Sequence, residues 1–178
     1  VTPSHVYPMM AESVFISRQK GLKIPILANC SGYESVEVLE LMDDFIDIYM
    51  PDMKYSDDIY AKKYSNVTDY AKINKAAIKE MFRQKGNLFI NKNEIAEKGL
   101  LIRHLVLPNG ISGSKEIFDF ISAEISADAF VSVMAQYHTA HKSDAIKELS
   151  RKITEEEYEY AVDCFYKSGL HNGWVQEL

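Results

Sequence analysis

The stretch FIDIYMPDMKY, residues 45–55, decides how the chain is read. Its first half is a short, nearly continuous apolar run rich in Ile and Tyr. Such a run fits a strand of a parallel sheet that is covered on both faces. Its second half closes on Pro51, Asp52, Met53, Lys54 and Tyr55. Asp52 and Lys54 are two apart, so on an extended chain they face the same side. Three further stretches have the same build: LKIPILANC (22–30), GLLIRHLVLP (99–108) and AFVSVMAQYH (129–138). Each is apolar at first and ends in polar or turn-forming residues.

Helical patterns lie between these strands. Residues 8–20 open with Pro8 in a first turn, turn Met10, Val14 and Ile16 inward and stop at Gly21. Residues 34–44 carry Val38, Leu39, Met42 and then Phe45 at helical spacing. A short helix over 57–64 precedes a longer one over 70–85, whose apolar residues are Ile73, Ala77, Ile78, Met81 and Phe82. Ser114 is placed to cap a helix carrying Ile117, Phe120 and Ile121. Thr154 and Glu157 form a capping box ahead of Tyr158, Ala161, Val162 and Phe165, with Gly169 as the stop. This alternation predicts an α/β fold with a parallel sheet, its four strands side by side in chain order through right-handed crossovers. Residues 87–98 and 139–152 read as polar connections, and the tail 171–178, with Trp174, as a segment docked on the body. No linker or repeat divides the chain, so residues 1–178 are expected to form a single domain.

Composition narrows the function. The chain has 178 residues, 20 Lys and Arg against 26 Asp and Glu, a net charge of −6, and 47% hydrophobic residues. Those are the proportions of a folded globular protein, and the charge argues against nucleic acid as a partner. No apolar run approaches the roughly 18 residues of a membrane span. Two cysteines, Cys30 and Cys164, build no disulfide framework. Both sit in apolar settings, which points to buried thiols and a reducing, cytoplasmic compartment.

The candidate site is read from the C-terminal strand ends, where parallel α/β folds bind ligands. These ends deliver Asn29, Cys30, Ser31 and Gly32; Asp52 and Lys54; Arg103 and His104; and His138 with His141 beyond. Asp52 and Lys54 are either a structural ion pair or a ligand contact. Arg103, deep in an apolar strand, calls for an anionic partner, either Asp52 or a substrate carboxylate. Ser31-Gly32 is either a plain turn or a place of close backbone approach to a ligand. His138 and His141, three apart, fall short of the ligand set that a structural zinc takes. The opening Thr2-Pro3-Ser4-His5 reads as the end of a strand.

Taken together, VTPSH, NCSGYES, DIYMPDMKY with the following KKYSN, GLLIRHLVLP, VMAQYH and ITEEEYEYA resemble the radical S-adenosylmethionine (SAM) enzymes, in particular proteins related to pyruvate formate-lyase activating enzyme. The resemblance implies a partial (β/α)6 barrel of the TIM type. It also implies a 4Fe-4S cluster held by a Cys-x3-Cys-x2-Cys loop, and reductive cleavage of SAM to methionine and a 5′-deoxyadenosyl radical. In activating enzymes that radical acts on a backbone glycine of a partner enzyme. No such cysteine motif occurs in this sequence. The chain is therefore expected to be the C-terminal portion of an incomplete barrel, with the third to sixth strands present, no metal ligand or catalytic residue of its own, and no activity alone. By the same resemblance Thr2, Ser4, Asn29, Ser31, Asp52, Lys54, Arg103 and His138 belong to the SAM site. The expected partner is a glycyl-radical enzyme or another protein substrate, with self-association through the exposed sheet edge. Two other readings stand beside this one. The first is a stand-alone α/β binding or scaffold domain without redox chemistry. The second is a small barrel hydrolase using His138, His141 and Asp52 around a metal.

Overall fold

The computed structural model describes residues 2–177. In chain order these form α1 (Tyr7–Gln19), β1 (Leu27–Cys30), α2 (Val36–Met42), β2 (Ile48–Pro51), α3 (Asp58–Ser65), α4 (Tyr70–Lys85), β3 (Phe89–Ile90), β4 (Ala96–Leu105), α5 (Ser114–Phe120), β5 (Phe130–Met134), α6 (Glu155–Lys167) and β6 (Asn172–Val175). The sheet runs β1-β2-β4-β5-β6, all parallel, and β3 pairs antiparallel with the start of β4. The expected α/β architecture is therefore present, and the barrel is not closed. β1, β2 and β5 fall within three of the apolar stretches, β4 overlaps the fourth but starts three residues before it, and the four lie side by side in chain order.

Two strands come from segments read as irregular. Residues 87–98 are a hairpin, not a polar connection. Glu94 takes a left-handed φ of 62°, and the Asn91 side chain accepts from the main-chain N–H groups of Asn93 and Ile95, which closes the turn. The tail does not merely dock on the body. It adds β6 to β5 in register, from Phe130↔Asn172 to Val133↔Val175. Gly173, at φ 137°, makes this pairing feasible, because a Cβ there would collide with the Val131 backbone.

Three smaller expectations also change. Thr2 to Ser4 run into a 3-10 turn (Ser4–Val6), not out of a strand, and Val1 lies outside the described residues. Ile16 on α1 is exposed, so only Tyr7 and Val14 of that helix are fully buried. Ser114 is not the cap of α5; Gly113 is, in a left-handed conformation, and the Ser114 hydroxyl is turned into the core. The capping box at Thr154 forms as read, with Thr154 Oγ1 accepting from the Glu157 N–H and the Glu157 carboxylate accepting from the Thr154 N–H.

The core explains why the apolar strand runs end where they do. Leu39, Met42, Ile78, Met81, Ile117, Phe118, Ile121 and Phe165 from the helices pack on Ala28, Tyr49, Leu100, Ile102, Val131 and Val133. Their strand neighbours Asn29, Met50, Leu101, Arg103 and Ser132 are only half-buried. The sheet thus has one covered face, while its other face is partly open, unlike the two covered faces that the apolar runs suggest. A smaller cluster of Tyr55, Ala61, Tyr70, Leu107, Ile111 and Leu149 sits beyond the strand C-termini, beneath α3 and α4. Among the described residues, no helix is long and apolar enough to cross a membrane.

The cap on α6 gives a direct test. Thr154→Ala removes the acceptor for the Glu157 N–H and should cost about 1 kcal/mol in urea denaturation, with an unchanged slope.

Candidate functional site

The polar end of β2 meets the partly open face of the sheet at Asp52. Asp52 continues the parallel ladder as an isolated bridge to Arg103 of β4. Its carboxylate is shared between two cations. Arg103 Nε donates to Asp52 Oδ1 at 2.8 Å, with Nη2 in ion-pair contact with the same oxygen at 2.7 Å, and Lys54 Nζ donates to Oδ2 at 2.5 Å. Arg103 Nη2 also donates to Asn29 Oδ1 at 2.8 Å. Four of the residues singled out in the sequence, Asn29, Asp52, Lys54 and Arg103, are thus one connected group across β1, β2 and β4. Both readings of Arg103's partner were open, and the partner here is Asp52. Two cations about one carboxylate leave the group formally positive. Side-chain exposures of 16% for Asp52, 24% for Arg103 and 37% for Lys54 keep it reachable from solvent. This combination of a planar guanidinium, an ammonium, a carboxylate and an amide can grip a polar ligand bearing hydroxyl and carboxylate groups.

A second polar group joins two of the residues singled out in the sequence, Thr2 and Ser4, to one that was not, Glu34. Glu34, at the turn after β1, is 4% exposed. Ser4 Oγ donates to Glu34 Oε1 at 2.6 Å, and Thr2 Oγ1 lies 2.6 Å from Ser4 Oγ. Burial pushes the Glu34 carboxyl upward, against the two hydroxyl donors that pull it down. The signal was an acidic residue one position before the Ser35 cap, inside an otherwise turn-like NCSGYES. Ser31 has a local role, with its hydroxyl accepting from the Tyr33 N–H at 3.3 Å. The close approach expected at Gly32 (φ 74°) is to the protein itself, since a Cβ would collide with Asp52 O and Asn74 Nδ2.

His138 is not joined to either group. It is exposed, its ring Nδ1 lies 3.4 Å from Gln136 O, and it lines a separate cavity of about 370 Å³ with Gln136, Tyr137, Lys152, Gln176 and Glu177. His141 is exposed on a 3-10 turn. Among the described residues, no three His, Cys, Asp or Glu side chains are placed to hold a metal, so the hydrolase reading finds no ligand set. The same residues do not fit an iron-sulfur cluster, which takes several thiolates. Cys30 and Cys164 are both buried, and burial pushes the Cys30 thiol up to about 12, away from the thiolate.

His104, next to Arg103 but facing the core, is completely buried. Burial lowers its pKa from 6.5 to about 4. The unfolded chain binds a proton near pH 6.5 that the folded chain refuses, so this group's stabilisation is present above pH 6.5 and is lost as pH falls towards 4, a change of up to about 3 kcal/mol. Glu34, raised by burial, works in the opposite sense. The difference in stability between the wild-type protein and His104→Asn, followed from pH 7 to 4, should therefore shrink by that amount. A pH-independent difference would contradict the buried neutral imidazole. For the ion pairs, Asp52→Asn leaves two adjacent cations without their anion and should cost about 1–3 kcal/mol. Lys54→Ala, at the more exposed pair, should cost under about 1 kcal/mol in the same denaturation experiment.

No protein-family model matches the chain. An uncharacterised protein of Methanocaldococcus jannaschii, MJ0674, is 32% identical over 148 residues, which is 83% of this chain and 39% of that protein. The chain thus spans well under half the length of this curated relative. Among solved structures, a domain of pyruvate-formate lyase-activating enzyme from Bacteroides vulgatus superposes with a TM-score of 0.66, covering 98% of this chain and 94% of that domain at 11% identity. The fold implied by the resemblance in the sequence is therefore the fold found.

Proposed function

We propose that this chain is the C-terminal portion, from the third strand onward, of a radical SAM enzyme related to pyruvate formate-lyase activating enzyme, and that the group around Asp52 is its SAM site. One observation carries the reading. Asn29, Asp52, Lys54 and Arg103 form a single hydrogen-bonded group at the C-terminal ends of three adjacent parallel strands, on the half-open face of a sheet with the activating-enzyme domain fold. That is where such sheets take their ligands. The donor set suits SAM: Asp52 and Asn29 are matched to ribose hydroxyls, and Lys54 and Arg103 to a carboxylate. Glu34, with Thr2 and Ser4, is matched to an ammonium. His138, at the end of β5, comes to this site only through the resemblance. The described residues offer no set of thiolates, so the cluster's ligands would come from outside this chain, and we assign this chain no electron-transfer step. Its residues bind and orient. A protein target carrying a glycyl-radical site, in the cytoplasm, fits the same reading.

The test is equilibrium dialysis of SAM against the full-length protein and its variants. Arg103→Ala and Asp52→Asn should each weaken binding by roughly tenfold or more, the loss expected when a charged hydrogen bond is removed. Unchanged affinity in both variants would overturn the assignment. The isolated chain, reconstituted with iron and sulfide and reduced, should form no 5′-deoxyadenosine.

A further inference from the structure

We infer that Tyr70, Asn74 and His104 are positioning residues that fix the main chain of Asp52, Met53 and Lys54, and so pose the Asp52 carboxylate and the Lys54 ammonium toward a ligand. The inference rests on reading the Asp52 group as a ligand site.

β2 ends at Pro51, and beyond it the ladder gives this segment only Asp52 N–H to Cys30 O and Met53 N–H to Arg103 O. Three of the four remaining main-chain groups of these residues are taken by three side chains. Asn74 Nδ2 donates to Asp52 O at 3.0 Å. His104 Nδ1 donates to Met53 O at 2.9 Å. The Lys54 N–H donates to Tyr70 Oη at 2.9 Å. Tyr70 and Asn74 are four apart on α4 and so share one face of that helix. His104 precedes Leu105 on β4 and points opposite to its neighbour Arg103. One strand thus serves the segment twice: Arg103 holds the Asp52 carboxylate, and His104 holds the next carbonyl. Asn74 Nδ2 also donates to Gly32 O at 2.9 Å, which ties the end of β1 to the end of β2.

All three side chains are out of a ligand's reach, with Tyr70 4%, Asn74 1% and His104 0% exposed. They act through the backbone they hold. The tautomer of His104 follows from its partners. Nδ1 faces a carbonyl and carries the proton, so Nε2 accepts from Ser114 Oγ at 2.9 Å. This explains why Ser114 is turned into the core and does not cap α5. Polar groups buried this deeply are costly unless paired. Here the pairing falls on successive residues of the one segment that bears Asp52 and Lys54.

The test uses the full-length protein and two readouts, SAM affinity by dialysis and the 13C signal of Lys54 after reductive dimethylation. Tyr70→Phe and Asn74→Ala should move the Lys54 signal toward that of the exposed lysines and weaken SAM binding roughly tenfold, a loss expected when a buried hydrogen bond is removed. Tyr60→Phe, on the neighbouring helix, should leave both unchanged. His104 separates posing from packing. His104→Asn keeps an amide donor where Nδ1 stood, and His104→Gln keeps the larger volume but places its amide where Nε2 stood. Posing ranks Asn nearer wild type; packing alone ranks Gln nearer, and that order would overturn the inference. A Lys54 signal unmoved in folded Tyr70→Phe and Asn74→Ala proteins would overturn it too. If the wild-type protein binds no SAM, the proposed function fails, while the Lys54 signal still decides whether these residues fix the segment.

Discussion

The rest of the structure depends on the Asp52 carboxylate being held between Arg103 and Lys54. A lone carboxylate at this depth would be poorly solvated, and so would a lone guanidinium on β4. Shared, they neutralise most of each other's cost, and they join the ends of β2 and β4 where the ladder has thinned to a single bridge. Asn29 extends the group to β1 through the same guanidinium. Three strand ends are therefore tied by polar contacts at the level where apolar packing gives way to an open face. Because the group keeps partial exposure, its donors can be re-used by a ligand without unfolding the sheet.

The covered and open faces of the sheet divide the labour. Ala28, Leu100, Ile102, His104, Val131 and Val133 point to the helices and are buried, while Asn29, Leu101, Arg103 and Ser132 point to the half-open side. α4 links the two. Its Ala77, Ile78 and Met81 anchor it in the main core. One to two turns earlier, Tyr70 and Asn74 reach the segment after β2. Packing energy in the body is thereby coupled to the geometry of the polar group. His104 makes the same connection from β4.

Much of this was legible in the sequence, because the strands announce themselves by composition. Four apolar runs gave four parallel strands, and the two-residue spacing of Asp52 and Lys54 put both on one side of the chain, where the structure pairs them. What was not legible depended on tertiary contact. β6 has weak strand character, with Gly173 and Trp174 in a four-residue run, and forms because β5 offers it an edge. The hairpin hides in a polar stretch, since its turn chemistry lies in Asn91 and Glu94 and not in a Gly pair. Glu34 gave no pattern of its own, since its hydrogen-bond partners Thr2 and Ser4 lie some thirty positions away. The run GLLIRHLVLP suggests two covered faces, yet its alternate residues Leu101, Arg103 and Leu105 are only half-buried. His138 stands apart from the Asp52 group, exposed and lining a different cavity.

The central claim is that the Asp52 group on the open sheet face is where the ligand sits. A crystal structure of the full-length protein soaked with SAM tests it most directly. The account predicts the nucleoside and its amino-acid arm within hydrogen-bond distance of Asn29, Asp52, Lys54 or Arg103. SAM bound elsewhere in the molecule, with the Asp52 group untouched, would contradict it.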